Sequence, residues 1–184
     1  MIHAIGMVEF TSIAKGIDAA DIMSKTAEVE ILVMKTLCPG KFMVLVSGDV
    51  SSVQQAVSAG AELGADTLVD QFVIPNVHHS ILPAIGGGND IPLPEIRAIG
   101  VIETYSVASA IEATDAAVKA ANVEPLRLHL AFGIGGKSYC VLTGEVAAVK
   151  AAVEVGSELA GEKGLLVHQL VIPRPHKQVL EGLL

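Results

Sequence analysis

Ala4-Ile5-Gly6-Met7-Val8-Glu9 and Ala98-Ile99-Gly100-Val101-Ile102-Glu103 are the same motif, set 94 residues apart. The echo continues through Lys25 and Lys119, then Val29 and Val123. Gly40-Lys41 answers Gly136-Lys137 at an offset of 96, as Gly48 answers Gly144, and Val73-Ile74-Pro75 answers Val171-Ile172-Pro173 at 98. Each drift of two is a short insertion in the second copy. The period is too long for a solenoid unit, so each copy is expected to be a small domain with its own core. A fused pair of like domains sets two related surfaces where a homodimer sets identical ones, which points toward a symmetric assembly.

Within each copy the pattern alternates between strand and helix. Residues 3–10 form a short apolar run, followed by Ser12 as a helix N-cap. Val107, Ile111, Thr114, Val118 and Ala121 fall at helical spacing, matched by Ile13, Ile17, Ala20, Ser24 and Ala27. Residues 29–37 and 42–47 read as strands, separated by Cys38-Pro39-Gly40, which the extended bias before proline and the freedom of glycine make a turn. Ser51 with Gln54 reads as a capping box. After it, Val53, Ala56, Val57 and Gly60 form a stripe of small residues, mirrored by Val149, Ala152, Val153 and Gly156, that lets a helix lie close on a sheet. A fourth strand spans 67–74, and His78 to Leu82 suggest a further helical turn.

The order β-α-β-β-α-β predicts an α+β fold of two tandem ferredoxin-like sandwiches, residues 1–85 and 97–184, joined by a linker at 86–96. Gly86-Gly87-Gly88 makes that linker flexible at its start, and Pro92 and Pro94 stiffen its end.

Composition narrows the function. Of 184 residues, 51% are hydrophobic, with no Trp and 3% aromatics, so the core is built from Val, Ile, Leu and Ala. A net charge of -8 argues against nucleic acid, because nothing neutralises a run of phosphates. Apolar runs such as Phe42-Met43-Val44-Leu45-Val46 are strand-sized, well short of a membrane span. No basic segment followed by an apolar one opens the chain, so no secretory signal is read. Two cysteines outside any disulfide pattern suit a reducing cytoplasm. Buried subunit interfaces would absorb the excess of apolar residues.

Of the two cysteines, Cys140 lies inside an apolar strand and reads as a core residue. Cys38 sits at a turn. A small buried hydrophobe, a catalytic thiol and a metal ligand are all readings of it, although no triad-like His and Asp spacing supports the second. Gly136-Lys137-Ser138 imitates a phosphate-binding loop, but the first glycine of that motif falls on Ala131, and a strand rather than a helix follows. Glu9 and Glu103, single acids in apolar strands, read as structural. His78-His79 is an adjacent pair whose rings would point apart on an extended chain.

The two openings, the segment Lys119-Ala120-Ala121-Asn122-Val123, the loop Phe132-Gly133-Ile134-Gly135-Gly136-Lys137 and the ending Val171-Ile172-Pro173-Arg174-Pro175-His176 resemble bacterial microcompartment shell domains. The resemblance covers nearly the whole chain, in both copies and in unpermuted order. Thr36-Leu37-Cys38-Pro39-Gly40-Lys41 makes it most similar to the tandem-domain iron–sulfur subunits of propanediol-utilization compartments.

The resemblance implies a structural role rather than an enzyme. It implies a homotrimer that mimics a hexamer and tiles with other shell subunits into the wall of a cytoplasmic compartment, around encapsulated redox enzymes. It places Pro39, Gly40, Lys41, Gly133, Ile134, Gly135 and Gly136 in loops at a central pore, and Lys25, Lys119 and Arg174 at lateral edges. It further implies one [4Fe-4S] cluster per trimer, bound by Cys38 of each chain and serving electron transfer or metal handling across the shell; the turn itself suggests that backbone N–H groups near Gly40 face the sulfurs. The rival expectation is a regulatory ferredoxin-like trimer that binds a small ligand between subunits.

Overall fold

The computed structural model describes residues 4–86 and 91–183. Gly87 to Asp90 of the expected linker lie outside the described residues. The elements run β1 (Ala4–Phe10), α1 (Ile13–Thr26), β2 (Glu30–Leu37), β3 (Lys41–Gly48), α2 (Val50–Leu63), β4 (Leu68–Ile74) and α3 (Ile81–Gly86). A single 3-10 turn at Leu93–Glu95 precedes the second series. That series is β5 (Ala98–Thr104), α4 (Val107–Ala120), β6 (Val123–Leu130), β7 (Ser138–Gly144), α5 (Val146–Glu162), β8 (Leu166–Pro173) and α6 (Lys177–Leu183).

Each series folds into a four-stranded antiparallel sheet, in the orders β2-β3-β1-β4 and β6-β7-β5-β8, so the α+β sandwich expected from the repeat is present twice. The last strand lies beside the first: Gly6 faces Val73, and Gly100 faces Val171. β1 is buried on both faces along its whole length. On one face Ala4, Val8 and Phe10 meet Ala19, Met23, Val53 and Val57 of the two helices.

Local chemistry sets the helix starts. Ser12 and Ser106 cap α1 and α4, accepting from the N–H groups of Lys15 (3.3 Å) and Ser109 (2.9 Å). The cap of α2 is not the box expected at Ser51. Asp49 takes that place, its carboxylate accepting from the N–H groups of Ser51 at 3.0 Å and Ser52 at 3.1 Å. Bonds from the Ser52 hydroxyl and then from backbone N–H groups hold the Asp49 carboxyl below the usual aspartate range.

The glycine of the repeated Ala-Ile-Gly motif now has a reason. A methyl at Gly6 would stand 2.5 Å from Val57 Cγ2 and 2.6 Å from Val53 Cγ1; at Gly100 it would stand 2.4 Å from Val153 Cγ2. The helix therefore rests directly on the strand backbone. The glycines that end the small-residue stripes do something else. A Cβ at Gly60 would meet Met23 of α1, and one at Gly156 would come within 2.6 Å of the Ala113 carbonyl of α4, so they seat helix on helix rather than helix on sheet.

Two compact units emerge. One runs to Val77 and takes in Ala131–Gly136; the other comprises His78–Leu130 and the chain from Lys137 onward. The loop between β6 and β7 thus belongs with the β2–β3 turn. α3, which follows the last strand of the first repeat, packs on β6 and α4 of the second unit. It is tied there by the His78 N–H, which donates to Asp115 Oδ1 at 2.8 Å.

The glycine seats make a paired prediction. Gly100→Ala should destabilise by about 1–3 kcal/mol through overpacking against Val149 and Val153. Gly161→Ala, inside α5 where a new methyl meets nothing within 4 Å, should stabilise by about 0.5–1 kcal/mol. Urea unfolding of the two variants measures both, and the signs should be opposite.

Candidate metal centre at the Cys38 turn

β2 ends at Leu37 and β3 begins at Lys41, leaving Cys38, Pro39 and Gly40 to reverse the chain. The Gly40 N–H donates to the Leu37 carbonyl at 2.9 Å and closes the turn, with Gly40 at φ 89°. Cys38 is half-buried, and the Cys38–Pro39 peptide is cis.

The loop Ala131–Gly136 wraps this turn. The Cys38 N–H donates to the Ala131 carbonyl at 3.1 Å, and the Gly133 N–H points at Cys38 Sγ at 3.4 Å. Gly136, at φ 86°, passes so close that a Cβ would lie 2.7 Å from the Cys38 carbonyl oxygen. No side chain is compatible with that position. Gly133 and Gly135 look instead into open space, Ile134 is half-buried, and Phe132 is exposed. The loop therefore meets the turn at Ala131, Gly133 and Gly136. The N–H that reaches the sulfur is that of Gly133; the Gly40 N–H expected there is committed to the turn.

Lys41 points inward. It is buried, ion-paired to the fully buried Glu9, and donates to the Gly136 carbonyl at 3.2 Å. The lysine thus ties β1, the end of the cysteine turn and the wrapping loop together. In the second unit Glu103 and Lys137 repeat the pair, but both side chains remain partly exposed. Glu9 and Glu103 accordingly sit in structural ion pairs.

Cys140 lies within β7, almost fully buried, and burial pushes its thiol pKa up. Such a thiol is a poor nucleophile and a poor ligand. Gly136-Lys137-Ser138 leads into β7, as the rejection of a phosphate loop required. The His78 and His79 rings do approach each other, with centroids 4.2 Å apart, because the chain turns there instead of running extended. Burial first, and then the charge of His79, lowers the His78 pKa; Asp115 and Glu124 oppose them. Among the described residues, no group of three or more His, Cys, Asp or Glu within one chain could hold a metal ion.

Lys25 and Lys119 lie in the last turns of α1 and α4, each paired with an aspartate four residues earlier, Asp21 and Asp115. Lys25 is the more exposed of the two. Arg174 is exposed just beyond β8, at φ 52°, with its N–H on the Arg97 carbonyl at 2.9 Å.

The family model for the BMC domain matches residues 4–77 and again 98–175. The bacterial microcompartment shell protein PduT of Citrobacter freundii is 55% identical over 186 residues, covering 99% of this chain and all of that one. The carboxysome shell protein CsoS1 of Prochlorococcus marinus is 39% identical over 89 residues, which span 47% of this chain and 86% of the relative. Its length thus corresponds to a single repeat. Among solved structures, a microcompartment protein from Desulfitobacterium hafniense superposes with a TM-score of 0.85 at 46% identity, covering 98% of this chain and 99% of that one.

The two ion pairs should respond differently to loss of their lysines. Lys41→Met leaves Glu9 charged and buried, and should cost about 3–5 kcal/mol. Lys137→Met, beside the partly exposed Glu103, should cost no more than about 1 kcal/mol. Thermal and denaturant unfolding give both values, and equal losses would contradict the assignment of Lys41 to the interior.

Proposed function

This chain belongs to the BMC-domain family of bacterial microcompartment shell proteins, and on that premise we propose that three copies close into a pseudohexamer holding a [4Fe-4S] cluster on its axis through Cys38 of each chain. As a shell subunit the protein is a structural component, not an enzyme. In the proposed assembly, pseudohexamers pack side by side with other shell subunits, using edges that carry Lys25, Lys119 and Arg174. The tile encloses redox enzymes, and its central cluster serves electron transfer or metal handling across the wall.

The observation that carries the cluster reading is the surrounding of Cys38 Sγ. Cys38 is half-buried and sits on a turn fixed from both sides, and its sulfur faces a backbone N–H from Gly133. Thiolate sulfur is the usual protein ligand of iron–sulfur clusters, and N–H donation to such a sulfur tunes the centre. One chain brings one such thiol, so symmetry is needed to bring three. When bound, the cluster would supply one-electron redox chemistry. The chain's own part is positional. Lys41 and Glu9 anchor the base of the turn, Gly136 allows the wrapping loop to close on it, and Gly133 and Gly135 add no side chains to that loop.

Cys38→Ser should abolish iron uptake and visible absorbance after anaerobic reconstitution, while the oligomer mass by light scattering is unchanged. Cys140→Ser should keep the iron and lose roughly 1–3 kcal/mol of stability, because a hydroxyl replaces a thiol in an apolar setting. Iron kept in the first variant and lost in the second would overturn the proposal.

A further inference from the structure

At the 94-residue offset of the repeat, Phe132 stands where the first copy carries Cys38: Leu37 answers Ala131 at that offset, and Gly40 answers Gly136 at 96. The second copy thus puts an aromatic ring in place of the thiol and adds its extra length after it. The chain has four phenylalanines. Phe10, Phe42 and Phe72 are core residues with at most 5% exposure, whereas Phe132 is 77% exposed. A single exposed apolar side chain is ordinary on a protein surface. What sets this one apart is its place.

One peptide bond joins Phe132 to Gly133, whose N–H points at Cys38 Sγ at 3.4 Å. Standard backbone dimensions then put the Phe132 Cα within about 6 Å of that sulfur. A benzyl side chain bridges such a gap to van der Waals contact. The loop is also pinned to the cysteine turn on both sides of Phe132. The Ala131 carbonyl accepts from the Cys38 N–H at 3.1 Å, and the Gly136 carbonyl accepts from Lys41 Nζ at 3.2 Å. Gly133, Gly135 and Gly136 carry no side chain, Ala131 is fully buried, and Ile134 is half-buried. Phe132 is therefore the one large, open side chain on this loop.

We propose that Phe132 screens the Cys38 thiols: around the axis, three phenylalanine rings alternate with three cysteines as an apolar collar that limits access of water and solutes to the cluster. This deepens the cluster reading and rests on it. The alternation follows from the repeat, because corresponding positions of the two copies take corresponding places in a pseudo-sixfold ring. The exposure of Phe132 in one chain follows too, since a side chain that meets its symmetry copies only at the axis is left largely open before assembly. Three thiolates for four irons leave one iron without a protein ligand. Solvent access then decides how firmly the iron is kept, and the apolar shell around a metal centre sets that access.

The test compares the parent with Phe132→Leu, Phe132→Val and Phe132→Ala after anaerobic reconstitution. Iron content and oligomer mass should be the same throughout, because the ring supplies no ligand. Release of iron to an excess of the ferrous chelator bathophenanthroline disulfonate, without oxygen, should quicken in the order Phe, Leu, Val, Ala and several-fold over the series. In the iron-free proteins, alkylation of Cys38 by iodoacetamide, followed by mass spectrometry, should quicken in the same order. Cys140 should stay unmodified in each, being buried. Equal rates across the series refute the collar and leave the cluster reading standing. A parent that takes up no iron refutes the cluster reading, and the alkylation rates then decide alone whether Phe132 covers the sulfur.

Discussion

The buried ion pair of Glu9 with Lys41 governs how the first unit is arranged around its cysteine. A carboxylate with no exposure in a strand buried on both faces costs several kcal/mol unless a cation is held against it. Lys41, the first residue of β3, must therefore turn inward, and this fixes where the turn before it leaves the sheet. The same ammonium holds the Gly136 carbonyl, so the wrapping loop is registered to the turn through one side chain. The position of Cys38 follows from that register, and so does the approach of the Gly133 N–H to its sulfur.

Duplication supplied two copies of this device, and they have diverged. Glu103 and Lys137 keep the pair but leave it partly in water. The loop ahead of Lys137 is two residues longer than its counterpart, contains no cysteine, and is built on positive φ angles at Ala131, Gly133, Gly135 and Gly136. Instead of forming a second thiol turn it lies around the first, as part of the first unit. The glycine seats under α2 and α5 did not diverge. A strand in direct contact with a helix has no tolerance for a methyl, whichever copy it belongs to.

Much of this was legible in the chain. The order of elements followed from the change between strand and helix periods and from punctuation by Pro39, Gly40 and Pro75. The repeat made each inference checkable against its twin. What escaped was set by contacts distant in sequence or by competition among neighbours. Asp49 and Ser51 are both good caps, and only the geometry shows that the first captures the free N–H groups. Gly40 looked free to face a sulfur, yet a three-residue reversal spends its N–H on closing itself. Membership of 131–136 in the first unit leaves no local signal. The two-residue insertion was the only hint, as extra length with which to reach.

The central claim is that one thiol per chain, multiplied by symmetry, makes the metal centre. Its most direct measurement is native mass spectrometry of the anaerobically reconstituted protein, with iron and sulfide determined on the same sample. The account predicts a three-chain species carrying a single [4Fe-4S] cluster, hence four irons for every three chains. A cluster on each separate chain, or three-chain species that take up no iron at all, would contradict it.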